Sequence, residues 1–207
     1  SAPSFRPSQR FAKQLLASLP FQLTAAQKRV SREILTDLKH NKPMLRLVQG
    51  DVGAGKTLVA ALAACHALEE GWQVALMAPT EILAEQHYLN FKKWFEPLGV
   101  QVAWLAGKQK GKARAAQEQN IQLGLARLVV GTHALFQDSI QCAKLGLAII
   151  DEQHRFGVDQ RLSLRNKGIK NMTPHQLVMT ATPIPRTLAM SAYGDLDTSI
   201  IDELPPG

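Results

Sequence analysis

Gly50-Asp51-Val52-Gly53-Ala54-Gly55-Lys56-Thr57 is the stretch that decides the fold, because it matches the pattern G-x-x-x-x-G-K-[ST]. An apolar segment of strand length precedes it at 45–49, and an Ala/Leu-rich segment that favours a helix follows at about 56–70. In this order of strand, loop and helix, backbone N–H groups of the loop and the helix N-terminus face phosphate oxygens. We therefore predict a phosphate-binding loop; the alternative is a glycine turn with an exposed lysine.

The loop predicts ATP and Mg²⁺ as cofactors. Residues 50–57 are expected to bind the nucleotide, with Lys56 at the β- and γ-phosphates and the Thr57 hydroxyl on Mg²⁺. Asp151 and Glu152 follow the apolar run 147–150. Asp151 is the predicted second protein ligand of Mg²⁺, and Glu152 is predicted to orient or deprotonate the attacking water. Lys56, Asp151 and Glu152 are thus the candidate catalytic residues, although an acidic pair at a strand end is also typical of a solvated turn.

Alternation of strands and helices predicts the fold class. Apolar strand-length runs at 45–49, 73–78, 101–105, 127–131, 147–150 and 176–180 are separated by segments with helical patterns at about 56–70, 80–96, 112–123, 157–167 and 185–192. This pattern favours a three-layer α/β fold with a doubly wound, mostly parallel sheet, in which ligands bind beyond the carboxyl ends of the strands.

The segments at the two ends of the chain predict its domain organisation. Before the first strand, Ser8 is expected to cap a helix to about residue 17, and Thr24 a second one to about residue 38. The acidic segment 195–207, which ends in Pro-Pro-Gly, is typical of a linker. We predict a basic helical extension at 1–23, a domain at 24–204 and the start of a linker at 205–207.

The net charge of +7 is clustered along the 207 residues. Residues 1–46 hold nine basic and two acidic side chains, and 108–127 hold five and one. Clustered basic charge is typical of a nucleic-acid partner or of a solvated surface.

Cysteine usage and hydropathy narrow the class of protein. Two distant cysteines, Cys65 and Cys142, do not make a disulfide framework or a metal cluster. Since no apolar run reaches the roughly 18 residues of a membrane span, we expect a cytoplasmic protein without membrane association. The absence of an initial Met indicates a fragment of a longer chain.

Further motifs resemble those of superfamily 2 helicases of the DExH type. The second motif is Asp151-Glu152-Gln153-His154, and the strand-contacting motifs span 78–86, with Thr80, and 130–135, with Thr132. Thr180-Ala181-Thr182 resembles the motif that couples nucleotide to nucleic acid, and Gln27 lies in a segment similar to the adenine-reading one. The resemblance implies a RecA-like P-loop NTPase lobe in which His154, Arg155, Thr180 and Thr182 couple the two sites. From the residue types alone, Thr80 and Thr132 are equally consistent with helix N-caps. Gln27 is likewise consistent with a solvated helix residue.

Within this superfamily, the sequences after His154 and around Thr180 are similar to the RecG family of branch-migration helicases, and largely also to the Mfd family of transcription-repair coupling translocases. The RecG resemblance implies a monomeric DNA motor that reverses forks and migrates Holliday junctions in repair and recombination. It also implies a wedge domain and a second RecA-like lobe in the same full-length chain. Thr80, Thr132 and the basic loop, defined as Lys108, Lys110 and Lys112, are the predicted DNA contacts. The alternative from another class is a P-loop protein without helicase activity, either a nucleotide-gated binding module or a small-molecule kinase.

Overall fold

The computed structural model of the chain describes residues 1–5, 9–51, 55–136, 140–152, 172–181 and 197–202. Five helices occur in these ranges: α1 Arg10–Ala17, α2 Ala25–Leu38, α3 Lys56–Glu69, α4 Glu81–Phe95 and α5 Gly111–Gln122. The strands are β1 Leu45–Gly50, β2 Gln73–Ala78, β3 Val102–Leu105, β4 Leu128–Thr132, β5 Leu145–Asp151, β6 His175–Thr180 and β7 Asp197–Ile201. Short 3₁₀ helices span Glu96–Leu98 and His133–Phe136. The helices predicted at about 157–167 and 185–192 lie outside the described residues.

The strands form one sheet in the order β3-β4-β2-β5-β6-β1-β7, and every neighbouring pair is parallel. All carboxyl ends therefore lie at one edge of the sheet. The six predicted strands are present within two residues of their predicted bounds, and the predicted α/β class is confirmed.

Two apolar clusters cover the two faces of the sheet. In β5, Leu147 and Ile149 belong to the larger cluster with α1, α2, α3 and α4, whereas Ala148 and Ile150 belong to the smaller one with Ile121 of α5. Helix α3 is buried around its circumference from Leu58 to Leu68, as expected of a helix without a polar face. Its first residue, Lys56, is consequently fixed at the carboxyl edge of the sheet.

The linker predicted at 195–207 is wrong for Asp197–Ile201, which forms the edge strand β7 beside β1. Its exposure alternates, with Ser199 and Ile201 buried and the other three residues exposed. Arg46 of β1 holds β7 in place by donating to Ser199 Oγ at 2.7 Å, and it also forms ion pairs with Asp37 and Asp197. These stabilising contacts come from distant parts of the chain, so the local composition did not reveal the strand.

The predicted cap of α1 is also corrected. The N-cap position belongs to Gln9, whose φ is +63° and whose side chain makes no cap bond, while Ser8 lies outside the described residues. The backbone N–H of Arg10 instead donates to Glu69 Oε1 of α3 at 2.9 Å. The capping group is therefore supplied by tertiary packing.

The first residues of the chain pack into the same core as the sheet. Phe5 is fully buried between Trp72 and His175, at centroid distances of 6.2 and 5.4 Å. Imidazole Nε2 of His175 bonds the Pro3 carbonyl at 2.6 Å, and its Nδ1 accepts the Met44 N–H at 2.9 Å. These contacts attach the predicted extension to the amino-end edge of the sheet, opposite the loop 50–57.

Both cysteines are free, as predicted, with Cys65 buried and Cys142 half-buried. None of the helices in the described ranges combines the length and the apolar composition that crossing a bilayer requires.

Candidate nucleotide-binding site

Three neighbouring strand ends form the centre of the candidate site. Strand β6 lies between β1 and β5, and its register pairs Thr180 with Gln49 on one side and Met179 with Asp151 on the other. The start of the 50–57 loop and the Asp151-Glu152 pair therefore flank Thr180 at the same edge. The sequence predicted this convergence from the strand ends alone.

Gly55 closes the loop against helix α2. It occupies the N-cap position of α3 at a φ of +83°, a conformation that favours glycine. A Cβ at this position would lie 1.9 Å from Gln27 Nε2. The loop and α2 are thus packed too closely here for any other residue without a shift of Gln27.

Gln27 has a structural role in this conformation. The side chain of Thr24 accepts the Gln27 N–H at 3.1 Å, and Gln27 Oε1 accepts the Thr24 N–H at 2.9 Å, which is a complete capping box. Its Nε2 contacts the Gly55 carbonyl at 3.4 Å, and the residue is 1% exposed. The predicted cap at Thr24 is therefore confirmed, the solvated-helix alternative for Gln27 is wrong, and its adenine contact stays a prediction. The spacing T-x-x-Q is the sequence signal that predicts the box.

Lys56 is held directly at the strand end. Its Nζ donates to the carbonyls of Gly50 at 2.5 Å and Asp51 at 3.2 Å. Burial lowers the pKa of Lys56, while the carboxylates of Asp151 and Asp51 act in the opposite direction. The ammonium group therefore lies in the field of Asp151 across the sheet edge, where an anionic phosphate group would complement it.

The carboxylates follow β5 as predicted. Asp151 ends the strand with 19% of its side chain exposed, and Glu152, 4% exposed, continues the ladder by donating its N–H to the Met179 carbonyl at 3.0 Å. Thr57 is the half-buried second residue of α3.

The side-chain oxygens of Thr57 and Asp151 fit a Mg²⁺ ion that is also bound by a nucleotide. The described residues contain no cluster of three His, Cys, Asp or Glu side chains that could hold a metal. One carboxylate and one hydroxyl are hard ligands, and Mg²⁺ bound to a nucleotide commonly takes its other ligands from phosphates and water. The donor set at Thr57 and Asp151 therefore suits a magnesium–nucleotide complex better than a free ion.

Two histidines that the sequence analysis did not single out lie near Asp151. His87 Nε2 lies 2.6 Å from Asp151 Oδ2, and His87 is 7% exposed on α4. Burial lowers the pKa of His133, while the nearby backbone and carboxylate of Asp151 act in the opposite direction. A signal was present for His87, because it lies in the helical spacing of Ala84 and Phe91 on the buried face of α4.

The predicted DNA-contacting residues lie at the same edge, farther along the sheet. Thr80 is exposed and caps α4, accepting the Leu83 N–H at 3.2 Å. Thr80 is therefore an N-cap, and its DNA contact stays a prediction. Thr132 is 9% exposed and ends β4, where it pairs with Ala78 of β2. All three lysines of the basic loop are exposed, and the last of them, Lys112, lies in the first turn of α5. Gly107 donates its N–H to Glu81 Oε1 at 3.1 Å, which attaches this loop to the first turn of α4.

Some predicted site residues lie outside the described part of the chain. They are Val52, Gly53 and Ala54 of the loop, and His154, Arg155 and Thr182 of the coupling set. Their roles stay predictions.

Comparisons with known proteins agree with the fold and the motifs. The DEAD/DEAH box helicase family model matches residues 24–191. The chain is 66% identical to the ATP-dependent DNA helicase RecG of Haemophilus influenzae over 94% of its length, and 66% identical to RecG of Escherichia coli strain K12 over 93%. It spans 28% of the length of these curated relatives.

The solved structure of RecG bound to a three-way DNA junction superposes on the whole chain with a TM-score of 0.85 and 44% identity, and the match covers 27% of that chain. The resemblance predicted from the motifs is confirmed.

Proposed function

Since the chain belongs to the DEAD/DEAH box helicase family, we propose that it is the first RecA-like motor lobe of a RecG-like, ATP-dependent DNA helicase. The observation that carries the proposal is the parallel register of β1, β6 and β5. This register places Lys56 and Asp151 on opposite sides of Thr180 at one edge. Edges of this kind bind nucleotides in open α/β sheets.

In the proposed site, residues 50–57 and Lys56 bind the phosphates of ATP, and Thr57 and Asp151 hold Mg²⁺. Bound magnesium–ATP supplies the phosphoanhydride bond whose hydrolysis drives the motor. Lys56 exchanges its present carbonyl partners for phosphate oxygens, which are stronger, charge-assisted acceptors. Glu152, next to the metal carboxylate, orients and deprotonates the attacking water.

DNA is the proposed macromolecular partner. The Thr80 hydroxyl accepts the Leu83 N–H, and that bond does not use its own O–H, which can donate to a phosphate oxygen. The basic loop beside α4 adds three exposed positive charges. Contacts to phosphates carry no sequence information, which suits a motor that moves along duplex DNA.

The proposed full-length protein is a monomer with a second RecA-like lobe and a wedge domain beside this lobe. Residues 24–204 form the proposed domain, 1–23 its basic extension and 205–207 the start of the linker to the second lobe. The proposed activity is fork reversal and Holliday-junction branch migration in the bacterial cytoplasm.

The decisive variant is Lys56→Ala in the full-length protein, assayed for ATP hydrolysis with and without a synthetic fork. We expect DNA-stimulated hydrolysis to be abolished while fork binding remains measurable. Lys42→Ala is the matched control, because Lys42 is exposed before β1 at the opposite edge of the sheet. Undiminished hydrolysis by Lys56→Ala would contradict the site assignment. A wild-type ATPase that DNA does not stimulate would favour a nucleotide-gated binding module instead.

A further inference from the structure

The surroundings of Asp151 connect the elements that carry the predicted DNA contacts with the proposed Mg²⁺ ligand. Helix α4 begins after Thr80 and carries His87, and β4 ends at Thr132 immediately before His133. Helix α4 thus begins at one predicted DNA contact and β4 ends at another. A histidine on α4 and the histidine directly after β4 both lie near the same aspartate. Nothing in the nucleotide chemistry itself requires this convergence.

The His87 contact is well defined. A carboxylate oxygen can only accept, so His87 Nε2 donates its hydrogen to Asp151 Oδ2 across 2.6 Å. The imidazole packs edge-on against Phe91, at a centroid distance of 6.4 Å and an interplanar angle of 85°. Its other nitrogen, Nδ1, is buried without a hydrogen-bond partner among the described residues. The ring is therefore fixed by packing on α4, and its one polar bond goes to Asp151.

From this geometry we propose that His87 is a positioning residue that holds the Asp151 carboxylate for Mg²⁺ and couples its orientation to the DNA-binding state of α4. The inference rests on the proposed function. The bond involves only one carboxylate oxygen and fixes the side chain that projects from the end of β5. A shift of α4 when Thr80 and the basic loop bind phosphates would move the donor and reorient Asp151. His133, the residue directly after β4, lies near the same aspartate, which opposes the lowering of its pKa by burial.

Coupling of this kind is reciprocal. If DNA tightens the binding of magnesium–ATP by some factor, magnesium–ATP must tighten the binding of DNA by the same factor. Substitution of a residue that transmits the coupling should reduce both factors together. Substitution of a residue that only stabilises the fold should leave both factors unchanged and lower the unfolding midpoint.

The experiment measures the dissociation constant of a fluorescent ATP analogue for the full-length protein, with and without a duplex oligonucleotide and across a Mg²⁺ titration. His87→Phe keeps a ring but removes the N–H donor. His87→Gln removes the ring but keeps an N–H donor on a side chain that can still point towards Asp151. For His87→Phe we expect the Mg²⁺ concentration at half-saturation to rise about tenfold or more, as is typical for loss of a partner of a metal ligand. Both DNA-coupling factors should fall towards one, and His87→Gln should restore them at least in part.

Matched controls separate the possible failures. His66→Gln replaces a histidine of similar burial on α3, 5% exposed, and should leave the Mg²⁺ dependence unchanged. If His87→Phe does not fold, His87→Met repeats the test with a flexible side chain. Wild-type Mg²⁺ dependence and coupling in a folded donor-free variant would overturn this inference alone. A wild-type protein that does not bind magnesium–ATP would overturn the proposed function as well.

Discussion

Replacing Gly55 with alanine should reveal how closely the loop is packed against α2. At a φ of +83°, alanine is disfavoured by about 1–2 kcal/mol. The new Cβ would also lie 1.9 Å from Gln27 Nε2. Because this atom is the end of a flexible side chain, Gln27 would move rather than the backbone. Its movement would break the bond from the Thr24 N–H to Gln27 Oε1, one of the two bonds of the capping box, at a cost of about 1 kcal/mol. We therefore expect Gly55→Ala to lower the free energy of unfolding by about 2–3 kcal/mol in total.

Gly71→Ala isolates the conformational part of this loss. Gly71 has a nearly identical φ of +85°, but among the described residues no neighbouring atom lies within 4 Å of a Cβ built on it. Urea unfolding of the 207-residue chain should show that Gly55→Ala costs about 1 kcal/mol more than Gly71→Ala. That excess should vanish when both glycine variants are compared in a Gln27→Ala background. Equal losses for the two glycines in the wild-type background would refute the packing of Gln27 against the loop.

Three further predictions concern charge. Changing the three lysines of the basic loop to Glu should weaken duplex binding and reduce the slope of log K against log salt by about one per contacting lysine. The control Lys42→Glu should leave this slope unchanged. An unchanged slope in the triple variant would indicate that the basic loop is a solvated surface without DNA contacts. Burial lowers the pKa of His66 to about 4 from 6.5, so the folded state excludes a proton that the unfolded state binds. Stability is then complete above about pH 6.5 and falls as the pH drops towards 4, by on the order of 3 kcal/mol at most. Urea midpoints of His66→Leu should depend less on pH in this window, and an unaltered dependence would contradict the assignment. Arg46→Met should lower the free energy of unfolding by about 2 kcal/mol, because Asp37 and Ser199 each lose a hydrogen bond to the charged guanidinium. An Asp37→Asn background should reduce that loss, and an additive result would argue against the ion pair.

The parallel sheet and the placement of Lys56 and Asp151 at one of its edges could be predicted because their signals are local. A P-loop pattern between an apolar strand and an Ala/Leu-rich helix fixes both the order of elements and the edge at which ligands bind. The Asp151-Glu152 pair at the end of another apolar strand follows the same logic. In each case, hydrophobic periodicity and strand polarity were enough.

The remaining features depend on contacts between distant residues. Strand β7 is short, and three of its five residues are exposed. It is held by Arg46 of β1, which the sequence shows only as one residue of a basic segment. The cap of α1 comes from Glu69 of another helix. Likewise, nothing in the spacing of His87 and Asp151, 64 positions apart, indicates that they form a hydrogen bond.

Residues 1–23, predicted as a basic helical extension, illustrate the same limit, because their sequence did not indicate which of their side chains are buried. In the structure, Phe5, Phe11 and Leu15 belong to the larger core cluster of the lobe, because side-chain burial, which composition does not reveal, determines what a segment packs against.

The most direct test of the proposed site is a crystal structure of the chain with a non-hydrolysable ATP analogue and Mn²⁺ in place of Mg²⁺, located by its anomalous scattering. We predict the Mn²⁺ peak at coordination distance, about 2.1–2.2 Å or one bridging water away, from Thr57 and Asp151, with the terminal phosphate at Lys56 Nζ. A nucleotide bound elsewhere, or a Mn²⁺ peak that neither Thr57 nor Asp151 reaches directly or through one bridging water, would contradict the assignment of this edge as the ATP site.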